Sequence, residues 1–147
     1  MKTISINFKR FDKTIPLPEF KTKGAVAADM YTRIDVDIPP HQIFAIPLNV
    51  AIEIPKGYAI LQFARSSTSK LGLMAANGVG VYDLDYCGDN DEYRFIAYNY
   101  TNHMVHIDKA TRICQIMLIK NNIFNIKELK NFKHHPNRGG MGSTGVK

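Results

Sequence analysis

Apolar residues fall in many short runs along this chain, and no segment keeps a helical period beyond roughly three turns. TISINF (3–8), AVAADMYT (25–32), YAILQF (58–63), YRFIAYNY (93–100), MVHI (104–107) and RICQIMLI (112–119) are rich in β-branched and aromatic residues and predict strands. Pro16, Pro18, Pro39, Pro40, Pro47 and Pro55, with Gly57 and Gly78, break these runs. PKGY (55–58) suits a tight connection between two strands. The best short helix is SSTSKLGL (66–73), with Ser66 or Ser67 as its N-cap. No internal repeat stands out, and no linker precedes residue 130. The expectation is a single all-β sandwich or jelly-roll-like barrel.

The end of the chain breaks the pattern. KHHPNRGGMGSTGVK follows Phe132 and carries Gly139, Gly140, Gly142 and Gly145 with few apolar anchors. It predicts a body over 1–132 and a flexible glycine-rich arm over 133–147, ordered by a partner or ligand.

Composition narrows the class. The 147 residues are 45% apolar and 22% charged, enough for one domain with a proper core. No run approaches the ~20 apolar residues of a membrane span. MKTISINFKRFD has no apolar signal region, and Cys87 and Cys114 form no CxxC, so a reducing cytoplasm is expected. The net charge of +6, from 19 basic and 13 acidic residues, favours an anionic partner. Lys120, Lys127, Lys130 and Lys133 cluster only loosely, and duplex-binding motifs are missing, so stable nucleic-acid binding is not expected. His103 and His106 point to opposite faces of a strand, His134 and His135 are adjacent, and no cysteine or acid nearby in sequence completes a tetrahedral set. Surface histidines are the plainer reading.

Three stretches could carry chemistry. ARSSTSKLGL (64–73) ends a strand in Arg65, Ser66 and Ser67, where hydroxyls, a guanidinium and free helix N–H groups suit a phosphate. A capped surface helix with a solvated arginine fits equally well. GGMGSTG (139–145) offers close backbone approach plus Ser143 and Thr144, although it is neither a P-loop nor a dinucleotide fingerprint and taken alone reads more readily as a flexible end. ANGVGVYDLDY (76–86) has Asn77-Gly78 and Gly80 for a hairpin whose backbone could read a base edge. Asp83 and Asp85 would share one face there, so either the pair faces water at a turn or one acid acts as a general base.

Taken in order, these blocks resemble the five motifs of the trimeric dUTPase family: AVAADMYT with Asp29, ARSSTSK, NGVGVYDLDYCGD, RICQI with Arg112 and Gln115, and GGMGSTG. The match runs from residue 25 to 145. It implies a jelly-roll-like β-barrel (the dUTPase-like β-clip) assembled as a homotrimer with shared active sites, and hydrolysis of dUTP to dUMP and pyrophosphate. Asp83 falls on the catalytic base position, and Asp85 looks structural. Tyr86 matches the tyrosine that packs on deoxyribose. Asn77, Gly80, Val81 and Tyr82 match the uracil-reading turn. Arg65, Ser66, Ser67 and Gln115 match phosphate contacts, joined by Arg138, Ser143 and Thr144 from the arm. Asp29 and Arg112 match supporting positions. A Mg²⁺ ion is implied, held by the triphosphate and waters with no direct protein ligand.

The chain departs from the commonest family pattern. Ala27 and Ser67 stand where glycines are usual, Ala64 where a proline is, and Cys87 where an arginine is. The segment after Gly88 is about three residues longer, and the tail motif is shorter. Met141 replaces the phenylalanine that stacks on uracil; it can cover a base without a flat ring. Two rivals share the fold. A dCTP deaminase needs a glutamate in the strand around YRFIAYN, where Ile96 stands. A non-catalytic nucleotide-sensing homologue would keep the pocket and lose turnover.

Overall fold

The computed structural model describes residues 3–132, 136 and 139. Eleven strands follow one another: β1 (Asn7–Arg10), β2 (Ala28–Tyr31), β3 (Val36–Ile38), β4 (Ile43–Pro47), β5 (Val50–Glu53), β6 (Tyr58–Ala64), β7 (Leu73–Ala75), β8 (Gly80–Tyr82), β9 (Arg94–Asn99), β10 (Val105–Ile107) and β11 (Arg112–Lys120). A single 3-10 turn, Thr68–Leu71, lies between β6 and β7. The strands pair antiparallel as a four-stranded sheet β2-β11-β6-β8, a three-stranded sheet β4-β9-β7, and two ribbons, β1-β5 and β3-β10. Ile60 and Ile116, Ile46 and Phe95, Ile52, and Ile38 and Ile107 bring all four into one core. The all-β, jelly-roll-like expectation holds.

Several local expectations need correction. The first strand starts at Asn7, not Thr3, and the second covers only Ala28–Tyr31 of 25–32. Strands β3, β4, β5 and β7 escape the sequence pattern. β3 and β7 are three residues each, and β4 ends in Pro47. That proline is tolerated because β4 is an edge strand, where a missing N–H costs no ladder bond. The helix expected over 66–73 is a four-residue 3-10 turn closed by Gly72 at φ +78°. Ser67 takes the N-cap position, but its hydroxyl makes no capping bond, and Ser66 precedes the cap.

Strand alternation gives the four-stranded sheet two unlike faces. Ile60, Gln62, Cys114 and Ile116 point into the core. The other face carries Leu61, Phe63, Met117 and Ile119, all half-buried, and Val81, 65% exposed. Register places Gln115 beside Phe63 and Asp29 at one end of this face. From residue 121 to 132 the chain is irregular, and Ile123, Phe124, Ile126, Leu129 and Phe132 are exposed.

Candidate active site

One half of the site is a charge knot at the end of β6. Asp29, on β2, is 8% exposed, so its carboxylate needs partners. It has two: Arg65 Nε donates to Oδ1 at 3.0 Å and an Arg112 guanidinium nitrogen donates to Oδ2 at 3.1 Å. Arg65 also donates to the Arg112 carbonyl at 2.9 Å. Buried Thr68 locks the turn beneath: its hydroxyl accepts from Arg65 N–H at 2.9 Å and donates to the Ile113 carbonyl at 2.8 Å. Gln115 donates to the Ala64 carbonyl at 3.2 Å. Ser66 is exposed and Ser67 half-buried. The structure therefore brings Asp29, Arg65, Ser66, Ser67, Arg112 and Gln115 together. Arg65 is not a loosely solvated cation but a held one.

The other half is the 75–86 segment. Gly78 N–H bonds the Ala75 carbonyl at 3.1 Å, and Gly78 takes φ +69°, which a side chain would resist. The expected hairpin is nevertheless not one. β7 pairs with β9 and β8 with β6, so the two arms are edge strands of different sheets. Their facing edges are not laddered to each other, which leaves backbone donors and acceptors free to read a planar base. Gly80 lets β8 lie close to Gln62: a Cβ there would sit 3.2 Å from Gln62 Cβ. Asn77 and Val81 are exposed.

Asp83 and Asp85 do not share a strand face. Asp83 opens a turn closed by Tyr86 N–H to its carbonyl at 3.2 Å, and both acids are exposed. Leu84, between them, packs on the core. Tyr82 and Tyr86 bracket the turn. The Tyr82 hydroxyl donates to the Arg94 carbonyl at 2.9 Å, and the Tyr86 hydroxyl to the Glu92 carbonyl at 3.1 Å. Burial pushes the Tyr82 and Tyr93 phenols well above their usual range, so both stay neutral. A groove of ≈ 700 Å³ opens beside Asp83, lined by Tyr58, Leu61, Val81, Asp85, Ile119 and Asn121.

Tyr93, Glu92 and Thr68 carry no signal in the sequence reading. Their roles come from contacts made far along the chain. Glu92 accepts from Arg33 at 2.7 and 2.9 Å and from Asn49 N–H at 2.8 Å. Arg138, Met141, Ser143 and Thr144, with the rest of the glycine-rich arm, lie outside the described residues. The histidine reading needs one correction: acids do surround His106. Its ring meets Asp37 at 2.7 Å and Asp108 at 3.2 Å, with Asp35 close by. All are exposed, on the β3-β10 ribbon. Among the described residues, no helix is long and apolar enough to cross a membrane.

The dUTPase family profile matches residues 13–145. The chain belongs to the dUTPase family. It is 31% identical over 149 residues to the deoxyuridine 5'-triphosphate nucleotidohydrolase of Dictyoglomus turgidum, covering 97% of this chain and 99% of that protein. It is 38% identical over 124 residues to the SPbeta prophage-derived deoxyuridine 5'-triphosphate nucleotidohydrolase of Bacillus subtilis, covering 81% and 83%. In three dimensions it resembles the Staphylococcus bacteriophage 80alpha dUTPase with dUPNHPP, at a TM-score of 0.82, 24% identity, 98% coverage of this chain and 100% of that one. This dUTPase-family chain thus keeps the family's fold and carries the first four motif blocks on described elements.

Proposed function

We propose that this chain hydrolyses dUTP to dUMP and pyrophosphate, with Asp83 as the base that activates water. The water oxygen forms a bond to the α-phosphorus, the bond from that phosphorus to the bridging oxygen breaks, and pyrophosphate leaves with the electron pair. The proton passes to the Asp83 carboxylate and then to solvent. Asn77 and the open backbone edge of Gly80, Val81 and Tyr82 read uracil, and Tyr86 packs on the deoxyribose. Cytosine carries an amine where uracil carries a carbonyl, so a backbone donor aimed there rejects it by being left unpaired. Arg65, Ser66, Ser67 and Gln115 take the phosphates, and the 133–147 arm closes with Arg138, Ser143, Thr144 and Met141.

The observation that carries this reading is the distance between the halves. Asp83 follows Tyr82, which pairs with Ile60, so it lies beside Ala59; Arg65 lies at the opposite end of the same strand. Six residues of strand separate them by about 20 Å, far more than a triphosphate spans. That separation favours a site completed between copies, each nucleotide drawing its two halves from different chains. Two surfaces support a homotrimer: the apolar outer face of the four-stranded sheet, and the exposed apolar side chains between Ile123 and Phe132.

Mg²⁺ fits as an ion carried by the triphosphate. Among the described residues, the group of His and acid side chains close enough to share an ion is Asp35, His106 and Asp108, none of them a site residue. A hard cation that keeps most of its waters needs no protein cage there. Bound, it neutralises phosphate charge; Asp83, Tyr86 and Arg65 do the positioning and the proton transfer. The deaminase alternative is not favoured. β9 holds no glutamate, and Glu92, just before it, is tied up by Arg33 and Asn49.

Subunit complementation tests the shared site. Asp83→Asn and Arg65→Ala chains, each inactive alone, are denatured together and refolded. Random trimers regain about one quarter of wild-type dUTP hydrolysis, because half of the sites draw an intact Asp83 and half an intact Arg65. No recovery, with mixed trimers verified by mass, contradicts the composite site.

A further inference from the structure

We propose that Tyr93 and Tyr82, stacked behind the Asp83 turn, position Tyr86 and so set how strictly the site prefers deoxyribose to ribose. The inference rests on the dUTP hydrolase reading above and assigns a task to Tyr93, which that reading leaves without one, and to the side chain of Tyr82, of which it uses only the backbone. Tyr93 is fully buried and reaches no solvent-facing surface. Its ring lies on that of Tyr82, centroids 3.7 Å apart and 7° from parallel. Tyr86 leans on both, at 6.0 Å from Tyr82 and 5.9 Å from Tyr93, tilted by 37° and 41°. The two contacts of Tyr86 lie within the ~4.5–7 Å range aromatic pairs favour, while Tyr82 and Tyr93 stack nearly face to face.

The hydroxyls of Tyr82 and Tyr86 fix the same assembly to the start of β9 and the residues leading into it. Tyr86 donates to the Glu92 carbonyl and Tyr82 to the Arg94 carbonyl, so the bonds fall on either side of Tyr93. Glu92 does not move freely, because its carboxylate is clamped by Arg33 and Asn49. The Tyr93 hydroxyl, by contrast, is buried with no hydrogen-bond partner among the described residues. Its ring is the working part, and its oxygen is dispensable. Ribose differs from deoxyribose by one hydroxyl, and a packing surface rejects that group only while it stays in place. An apolar wall discriminates an added hydroxyl by at most about a hundredfold, and a wall free to tilt does so by less.

The test compares kcat/KM for dUTP and for UTP in wild type, Tyr93→Leu, Tyr82→Leu and Tyr93→Phe, with thermal melting of each. Tyr93→Leu is expected to lower the dUTP-to-UTP ratio about tenfold, through a higher KM for dUTP and a gain with UTP. Tyr82→Leu moves the ratio the same way and serves if Tyr93→Leu does not fold. Tyr93→Phe keeps the wild-type ratio; a purely structural loss would leave the ratio unchanged in Tyr93→Leu as well, since lost stability lowers both activities together. A wild-type ratio in either folded Leu variant overturns the inference, and so does a collapsed ratio in Tyr93→Phe. Wild type that hydrolyses neither nucleotide overturns the hydrolase reading itself, a result distinct from an unchanged ratio.

Discussion

Asp29 and Arg65 hold each other through Oδ1 and Nε at 3.0 Å, and Arg112 closes on the second carboxylate oxygen at 3.1 Å. One buried acid thus aims two cations that come from strands distant in sequence. Asp29→Ala leaves both guanidiniums facing each other without a counter-charge. It should cost about 2–3 kcal/mol of stability, read from urea unfolding, with Arg112 at 39% side-chain exposure keeping the loss below that of a fully buried pair. It should also lower kcat/KM for dUTP by at least about tenfold, because Arg65 no longer holds one pose. Unchanged stability and kinetics would show the knot to be incidental.

Gly80 is a test of close approach. A Cβ there meets Gln62 Cβ at 3.2 Å and Oε1 at 3.3 Å, and Gln62 is itself 3% exposed with little room to retreat. Gly80→Ala is expected to push β8 off β6, costing about 1 kcal/mol and raising KM for dUTP more than it lowers kcat. A crystal structure of the variant with β8 unmoved and KM unchanged would oppose this.

His106 gives a pH signature away from the site. The Asp37 carboxylate first, then Asp108, holds its imidazolium above the ordinary value of 6.5. The folded state therefore binds this proton more tightly than the unfolded chain. What stability it lends is complete below about pH 6.5 and fades as pH rises through the higher folded value. The ring is exposed, so the effect on melting is small, and NMR titration is the direct reading. The His106 midpoint should lie above 6.5 and fall in Asp37→Asn. A midpoint at or below 6.5 that ignores the substitution would contradict the pairing.

How much of this was legible in the sequence depends on the range of the contacts. β6, β9 and β11 are long and rich in β-branched and aromatic residues, and the sequence marks them nearly to the residue. β3 and β7 are too short to show a period, and β4 ends in a proline that only edge placement makes tolerable. Arg65, Asn77 and Asp83 stand out in the sequence itself, whereas Asp29 and Gln115 come only from the family resemblance. The sequence could not say that the 75–82 turn spans two sheets, since that depends on β7 choosing β9 and β8 choosing β6. Nor could it show Tyr93 beneath Tyr82, because a tyrosine in an apolar run looks like any core residue. Asp83 and Asp85 looked like a repelling pair only until a turn separated them.

The most direct measurement is pyrophosphate release from dUTP with Mg²⁺ present, comparing wild type with Asp83→Asn and running dCTP, dTTP and UTP alongside. The account predicts release from dUTP in strong preference to the others, lost by a factor of about 10³ or more in Asp83→Asn, with dUTP binding retained. Full activity in Asp83→Asn, or dUTP bound but not cleaved by the wild type, would contradict it.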